Sequence, residues 1–589
     1  MYNISGRKDL NDSLKKLFVY LKGYIKECIL GPLFKLLEAL FELFVPLVVA
    51  SIIDKGITAG DQSYVIRMCL LLVVLALIGL TCSITAQYFA AKAAIGFSTR
   101  MRHALLKHIQ SLSFADLDKL GTSTLITRMT GDINQVQSGI NLGLRLLLRS
   151  PFIVFGSMIM AFTIDSHIAL IFAGVILVLL VIVFGIMLLS MPMYRKVQGN
   201  LDGITSTTRE NLNGVRVIRA FCLEEEEKIK FSEKNNQLTA SQEKVGKLSA
   251  LLNPVTYTVI NIALILLIRS GAIRVDSGIL TQGQVIALYN YMGQILVELI
   301  KMANLIISLT KAAACGSRIS SVMEVQNSQK DGTQSPVRGN GMISFRNVTL
   351  RYQDTGDAAL EDLNFEILPG QTVGVIGGTG SGKSSLISLI PRYYDTSEGS
   401  VCLDGIDVND YHLDSLRSRI GVVPQKALLF KGTIRSNLLW GNPDATDTQL
   451  RNALEIAQAS DILSSKALGL DEPVEQDGRN FSGGQKQRLT IARALVRNPE
   501  ILILDDSASA LDFATDAALR KAIRQRSGSM TTIIVSQRTS SVRYADQILV
   551  LDDGKLVGAG THDELLQSCP IYKEIHQSQY GTEGVADNV

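Results

Sequence analysis

The chain has 589 residues, 47% of them hydrophobic and 19% charged, with a net charge of +3 and a mean hydropathy of +0.22. The length exceeds what one hydrophobic core sustains, and the near-neutral charge argues against a nucleic-acid binder. A positive mean hydropathy with fewer charges than the usual ~25% means that the average covers two unlike parts. The seven cysteines, Cys28, Cys69, Cys82, Cys222, Cys315, Cys402 and Cys569, form no CxxC or Cys/His cluster. They supply neither a disulfide framework nor a zinc site and are expected as reduced thiols.

Four stretches, residues 68–91, 166–194, 248–268 and 277–297, are long and uncharged enough to cross a bilayer as helices. A fifth is expected over 144–164. A sixth covers 28–53, where Lys35, Glu38 and Glu42 interrupt a run of Leu, Phe and Val. Those charges must turn inward or stay near one surface, since a charge at the bilayer centre costs about 2.5–3.5 kcal/mol. The joints near Asp54–Asp61, Asp165 and Arg269–Gly283 are short. The stretches 92–140 and 195–247 are long and carry Arg100, Arg102, Lys107, Arg128, Arg195, Lys196, Arg216 and Arg219. Basic loops favour the cytoplasmic side, and Arg7, Lys8, Lys15, Lys16, Lys22 and Lys26 place the N-terminus there too, with no removable signal peptide expected. Both long loops keep an amphipathic period, which predicts helices that continue outside the membrane.

From about Gly316 the sequence turns to Ser, Gln, Asn, Gly and Pro, and strand patterns begin at Met342. The expected division is a membrane domain over 1–315, a linker over 316–340 and an α/β domain over 341–589. The apolar run Thr372–Ile376 leads into Gly377-Gly378-Thr379-Gly380-Ser381-Gly382-Lys383-Ser384 and then a helical segment from Ser385. This is a phosphate-binding GxxxxGK[ST] loop between strand and helix. Its backbone N–H groups point at phosphate oxygens, Lys383 meets the β and γ phosphates, and Ser384 ligates Mg²⁺. A second buried strand, Ile501–Leu504, ends in Asp505, placed to hold Mg²⁺ through a water.

Phe481-Ser482-Gly483-Gly484-Gln485, continuing as Lys486-Gln487-Arg488, resembles the signature motif of ATP-binding cassette proteins. The order of motifs agrees with that family: Tyr352 in the place of the adenine-stacking aromatic, the phosphate loop, Gln425 in Val423-Pro424-Gln425, the signature, Asp505, and Ser509-Ala510-Leu511-Asp512 as the D-loop. Six spans before one such domain resemble an exporter half-transporter. The resemblance implies a six-helix transmembrane domain fused to an α/β P-loop ATPase in the cell membrane. It implies ATP bound at Tyr352, Gly377–Ser385, Gln425 and Asp505, with Mg²⁺ held by Ser384, Gln425 and Asp505. It further implies two chains per transporter, with Ser482, Gly483, Gly484 and Gln485 facing the partner's ATP.

Two positions depart from the family pattern. Asp506 stands where the catalytic glutamate is expected, and its shorter side chain misplaces the carboxylate by more than about 1 Å, a scale that can cost ~10²-fold in rate. Gln537 stands where the switch histidine is expected, and an amide cannot carry that charge. Both defects fall on this chain's own site while the signature is intact, which resembles the degenerate-site subunit of heterodimeric multidrug exporters. The expectation is a partner half-transporter, a small amphipathic substrate taken from the lipid, and no nucleic acid. Alternatives are a homodimeric lipid flippase, a peptide exporter or a non-transporting ATP-gated regulator. Leu125–Asp132 and Asn211–Phe221 resemble the segments around the family's coupling helices. Glu38 and Glu42 share one helix face with Lys35. They read equally as part of an inward substrate cavity or as a salt bridge, and Gln294 and Glu298 raise the same question.

Overall fold

The computed structural model describes residues 17–336, 339–352, 356–507, 509–525 and 530–580. These divide into two compact units, the described residues up to 110 with 120–325, and 111–119 with the described residues from 326 on. The basic residues Arg7, Lys8, Lys15 and Lys16 lie outside the described residues.

In the first unit, α1 (Ile25–Ser51) continues through a π turn to Ile57 and is followed by α2 (Gln62–Ser111). A short helix α3 (Phe114–Leu120) precedes α4 (Thr122–Thr127), α5 (Ile133–Leu146) and α6 (Arg149–Ile164). Then come α7 (Ser166–Asn213), α8 (Val215–Ala220), α9 (Glu224–Ala250), α10 (Leu252–Asp276) and α11 (Gln282–Met323). Among the described residues, six helical stretches of 40 to 53 residues are long and apolar enough to cross a membrane. A bilayer needs only about 20 residues, so each helix has enough length to project well beyond it. Asp165 caps α7 by accepting from the His167 and Ile168 N–H groups and pairs with Arg274 at 2.7 Å. Asp54 accepts from Gly283 N–H at 2.8 Å and Thr281 Oγ1 at 2.6 Å, tying two joints together.

Two boundaries differ from the sequence reading. The last span begins at Gln282 and not at residue 277, because Thr281 and Gln284 form a reciprocal capping box that fixes the helix start. The same helix runs to Met323, past residue 315, into the stretch read as linker. Its polar composition belongs to a helix with one apolar stripe, for Cys315, Ile319 and Val322 remain buried at helical spacing.

The second unit carries a four-stranded sheet of β1 (Ile343–Leu350), β2 (Leu360–Ile367), β4 (Glu398–Leu403) and β5 (Ile406–Asp407) in the order β2-β1-β4-β5. Its main sheet contains β3 (Thr372–Gly377), β6 (Ile420–Val423), β7 (Ile501–Asp505), β8 (Thr531–Val535), β9 (Gln547–Asp552) and β10 (Lys555–Gly560). The order is β10-β9-β3-β8-β7-β6, parallel apart from the edge strand β10. Every residue of Thr531–Val535 is buried, as expected of a strand covered on both faces. Val535 is registered with both Asp505 and Val375. The carboxyl ends of β3, β8 and β7 therefore meet at one edge, where α/β sheets bind ligands.

Candidate nucleotide site and membrane cavity

The loop between β3 and α12 (Lys383–Leu389) needs its glycines. Gly380 and Gly382 have φ of +83° and +94°, and a Cβ on Gly377 would lie 2.1 Å from the Leu551 carbonyl oxygen. Lys383 Nζ donates to the carbonyls of Gly377 at 3.0 Å and Gly378 at 2.5 Å and to Ser381 Oγ at 3.3 Å, placing its charge within the loop. Burial lowers the Lys383 pKa below the usual lysine value, with Asp506 and Asp505 acting against that shift. Ser384 Oγ donates to Asp505 Oδ2 at 3.5 Å. Burial and then the charge of Asp506 raise the Asp505 pKa, against Ser384 and Lys383. The hydroxyl of Ser384 and the carboxylate of Asp505 are the hard oxygen ligands that Mg²⁺ prefers.

Asp506 leaves the sheet with φ +43°, its N–H donating to Val535 O at 3.0 Å. Gln425 Nε2 lies 3.5 Å from Asp506 Oδ2, so Gln425 meets the second aspartate. Tyr352 is exposed, donates to Ser385 Oγ at 2.9 Å and meets Tyr394 edge to face at 5.0 Å. Gln537 follows Ser536, whose N–H bonds Val375 O. The loop bearing Gln537 is held from α17 (Pro570–Tyr580), which follows α14 (Phe513–Arg524), α15 (Thr539–Val542) and α16 (His562–Ser568). There Gln579 Nε2 donates to Gln537 O at 2.7 Å and Gln579 Oε1 accepts from Thr539 N–H at 2.8 Å and Oγ1 at 3.0 Å. Ser482 caps α13 (Gly483–Val496) in a capping box with Gln485. Gln485 is thereby fixed at the helix start, while Ser482 and Gly483 remain exposed.

In the membrane unit, Glu38, Glu42 and Glu298 converge on one arginine. Arg149 donates to Glu298 Oε1 at 2.5 Å and to Glu42 Oε2 at 2.7 Å, with Glu38 at 4.0 Å. Ser150 donates to Glu298 at 2.8 Å, Lys301 pairs with Glu298 at 2.8 Å, and Lys35 pairs with Glu38 at 2.5 Å. Beside this chain of charges lies a cavity of about 430 Å³ lined in part by Glu42, Asn290, Gln294, Glu298 and Lys301. Gln294 accepts from Ser157 Oγ at 3.3 Å.

Comparisons with known proteins agree with both parts. The ABC transporter transmembrane region model matches residues 28–299, and the ABC transporter model matches 360–509. An uncharacterized ABC transporter ATP-binding protein of Mycobacterium tuberculosis is 37% identical over 551 residues, 92% of this chain and 94% of its own length. This chain belongs to the ABC transporter family. The Bacillus subtilis family member YfiB is 34% identical over 97% of this chain and 99% of its own length. An ATP-dependent lipid A-core flippase of Vibrio vulnificus is 27% identical over 97% and 98%. The fold matches the structure of a bacterial Atm1-family ABC exporter with ATP bound, with a TM-score of 0.79 and 21% identity over 96% of this chain and 99% of the other. The chain is thus an ABC transporter that joins a transmembrane region to an ATP-binding domain, a multi-pass plasma-membrane protein whose ATPase domain is cytoplasmic and whose ATP hydrolysis is coupled to transport.

In this ABC transporter Leu125–Asp132 flanks a segment, 111–119, that joins the ATPase unit. Leu125–Asp132 is held inside the membrane unit, where Asp132 accepts from Arg318 Nε at 3.0 Å and from Arg128 at 2.9 Å. The segment that packs with the ATPase unit is 111–119. Phe114 stacks obliquely on Tyr393 at 4.7 Å, and Tyr394 donates to Asp118 at 2.6 Å. Leu112, Phe114 and Leu117, set among Ser and Asp, were the available signal. Arg149, Lys301 and Gln579 were also missed as site residues. The first two lie one helical turn or one span from the acids that were noticed, and Gln579 carries no local motif.

Proposed function

We propose that this chain is one half of a heterodimeric ATP-driven exporter of amphipathic compounds, with a slowly hydrolysing site of its own and a signature that serves its partner's site. The observation that carries the reading is the pair Asp506 and Gln537 at the edge where the phosphate loop, β7 and β8 end. In this reading Tyr352 stacks the adenine, Gly377–Ser385 and Lys383 hold the phosphates, and Ser384, Asp505 and Gln425 hold Mg²⁺, which neutralises phosphate charge when bound. Asp506 is engaged by Gln425 and is one methylene short of the position that orients water. Gln537 donates a hydrogen bond to phosphate and supplies no positive charge. Ser482, Gly483 and Gly484 lie at a helix start suited to a γ-phosphate, and the exposed Leu212, Val217 and Phe221 beside α8 offer apolar contact to a second subunit.

The membrane cavity at Glu42, Gln294 and Glu298 is the substrate site in this reading. Purification of the tagged chain from its native membrane tests the assembly. A stoichiometric second half-transporter with Glu and His at the two positions is expected, and a pure homodimer would contradict it. A homodimeric lipid flippase is the second reading, favoured by the full-length likeness to the lipid A-core flippase.

A further inference from the structure

The membrane charges form an ordered chain. Glu42, Arg149, Glu298 and Lys301 alternate in sign, each bonded to the next at 2.5–2.8 Å. The two inner members are buried, with side chains 8% and 3% exposed, whereas the two ends, Glu42 and Lys301, are 40% and 42% exposed. Both ends line the same cavity, together with the amides of Asn290 and Gln294 and the apolar Val45, Pro46, Ile153 and Val297. Lys35 and Glu38 balance each other beside the chain. Three cations and three carboxylates therefore leave the cluster neutral, which removes the net negative field that a cation-collecting cavity would need.

We propose that this cavity selects zwitterionic amphiphiles, molecules that carry an ammonium and an acidic group on one apolar body. The ammonium faces Glu42, the acidic group faces Lys301, and the tail lies on Val45, Ile153 and Val297. A guest with a single charge satisfies one end of the chain and meets a like charge at the other, and repulsion of this kind gives selectivity. The chemistry is shared by a zwitterionic lipid headgroup and by a free hydrophobic dipeptide. This inference rests on the exporter reading and names the class of substrate for it.

The test uses the full chain with any subunit that copurifies, reconstituted in vesicles. Three lipids with the same fluorescent acyl chain are compared, bearing phosphoethanolamine, phosphoglycerol or trimethylammonium heads, and a radiolabelled leucine dipeptide is the free zwitterion. ATP-dependent movement of the phosphoethanolamine lipid or of the dipeptide is expected to exceed that of either singly charged lipid by about fivefold or more. Which of the two moves identifies the source. Glu42→Gln should shift the ratio toward the phosphoglycerol lipid and Lys301→Gln toward the trimethylammonium lipid. Each ratio is internal to one preparation, so partial misfolding does not produce opposite shifts. Equal movement of all probes, preference for a singly charged lipid, or shifts in one direction for both variants would overturn the proposal. ATP-dependent movement of none of the probes would overturn the exporter reading along with it.

Discussion

The ATPase unit and the membrane unit treat charge in opposite ways. Lys383 sits at the water-facing end of a parallel sheet, hydrogen-bonded to loop carbonyls, with the charges of Asp506 and Asp505 acting on it only from a distance. Arg149 is sealed among carboxylates that neutralise it. A site for a soluble polyanion can leave its cation without a direct ion pair, because water and the ligand share the load. In a bilayer the desolvation cost demands balance before any ligand arrives, so selectivity has to come from how the balanced charges are ordered.

The contrast can be broken at its strongest point first. Arg149→Met leaves Glu42 without its cation and Glu298 with only Lys301 and Ser150, and should cost about 3–5 kcal/mol, as removing one partner of a buried ion pair does. Thermal unfolding in lipid should show this as a large loss of stability, and an unchanged midpoint would mean that the cluster is not a structural unit. Lys383→Met should leave folding intact and weaken ATP binding by about 2 kcal/mol, or ~30-fold, as loss of charge-assisted hydrogen bonds does. Titration with a fluorescent ATP analogue reads it.

Much of the ATPase site was legible because its parts are local. A phosphate loop, a capped signature helix and a strand ending in Asp505 are each set by contiguous residues whose backbone conformation dictates their type, as at Gly380 and Gly382. The membrane site was only half legible. Glu38 and Glu42 declared themselves as charges in an apolar run, but Arg149 stood at the start of a different span, and no periodicity links α1, α6 and α11. The docking segment at Phe114 was missed for a related reason: its partners Tyr393 and Tyr394 are distant in sequence.

Smaller effects sharpen the account of the switch loop. Gln579→Ala removes three of the bonds from α17 to Gln537 and Thr539, leaving that of His576 to Thr539, and should loosen that loop by about 1–2 kcal/mol. Amide exchange over 536–541 should rise roughly tenfold while that of α12 stays unchanged. Acid should act on the same contact more gently. Burial lowers the pKa of His576 and, with the charge of His576 added, that of His562. Unfolded chain then takes up protons first, so the stability these groups lend is complete above about pH 6.5 and is lost as pH falls through the lowered folded values. Protection within α17, taken relative to the intrinsic exchange rate at each pH, should fall below pH 6.5, and unchanged protection between pH 7 and 5.5 would contradict the assignment.

In the heterodimer reading, Asp506 and Gln537 leave this chain unable to run its own site at speed. The direct measurement is steady-state ATP hydrolysis by the chain reconstituted without any other subunit, beside the Asp506→Glu/Gln537→His double variant. Tight ATP binding with very slow turnover is expected in the natural chain, and a rise of about 10²-fold in the double variant. Vigorous hydrolysis by the natural chain alone, with no gain in the double variant, would contradict it.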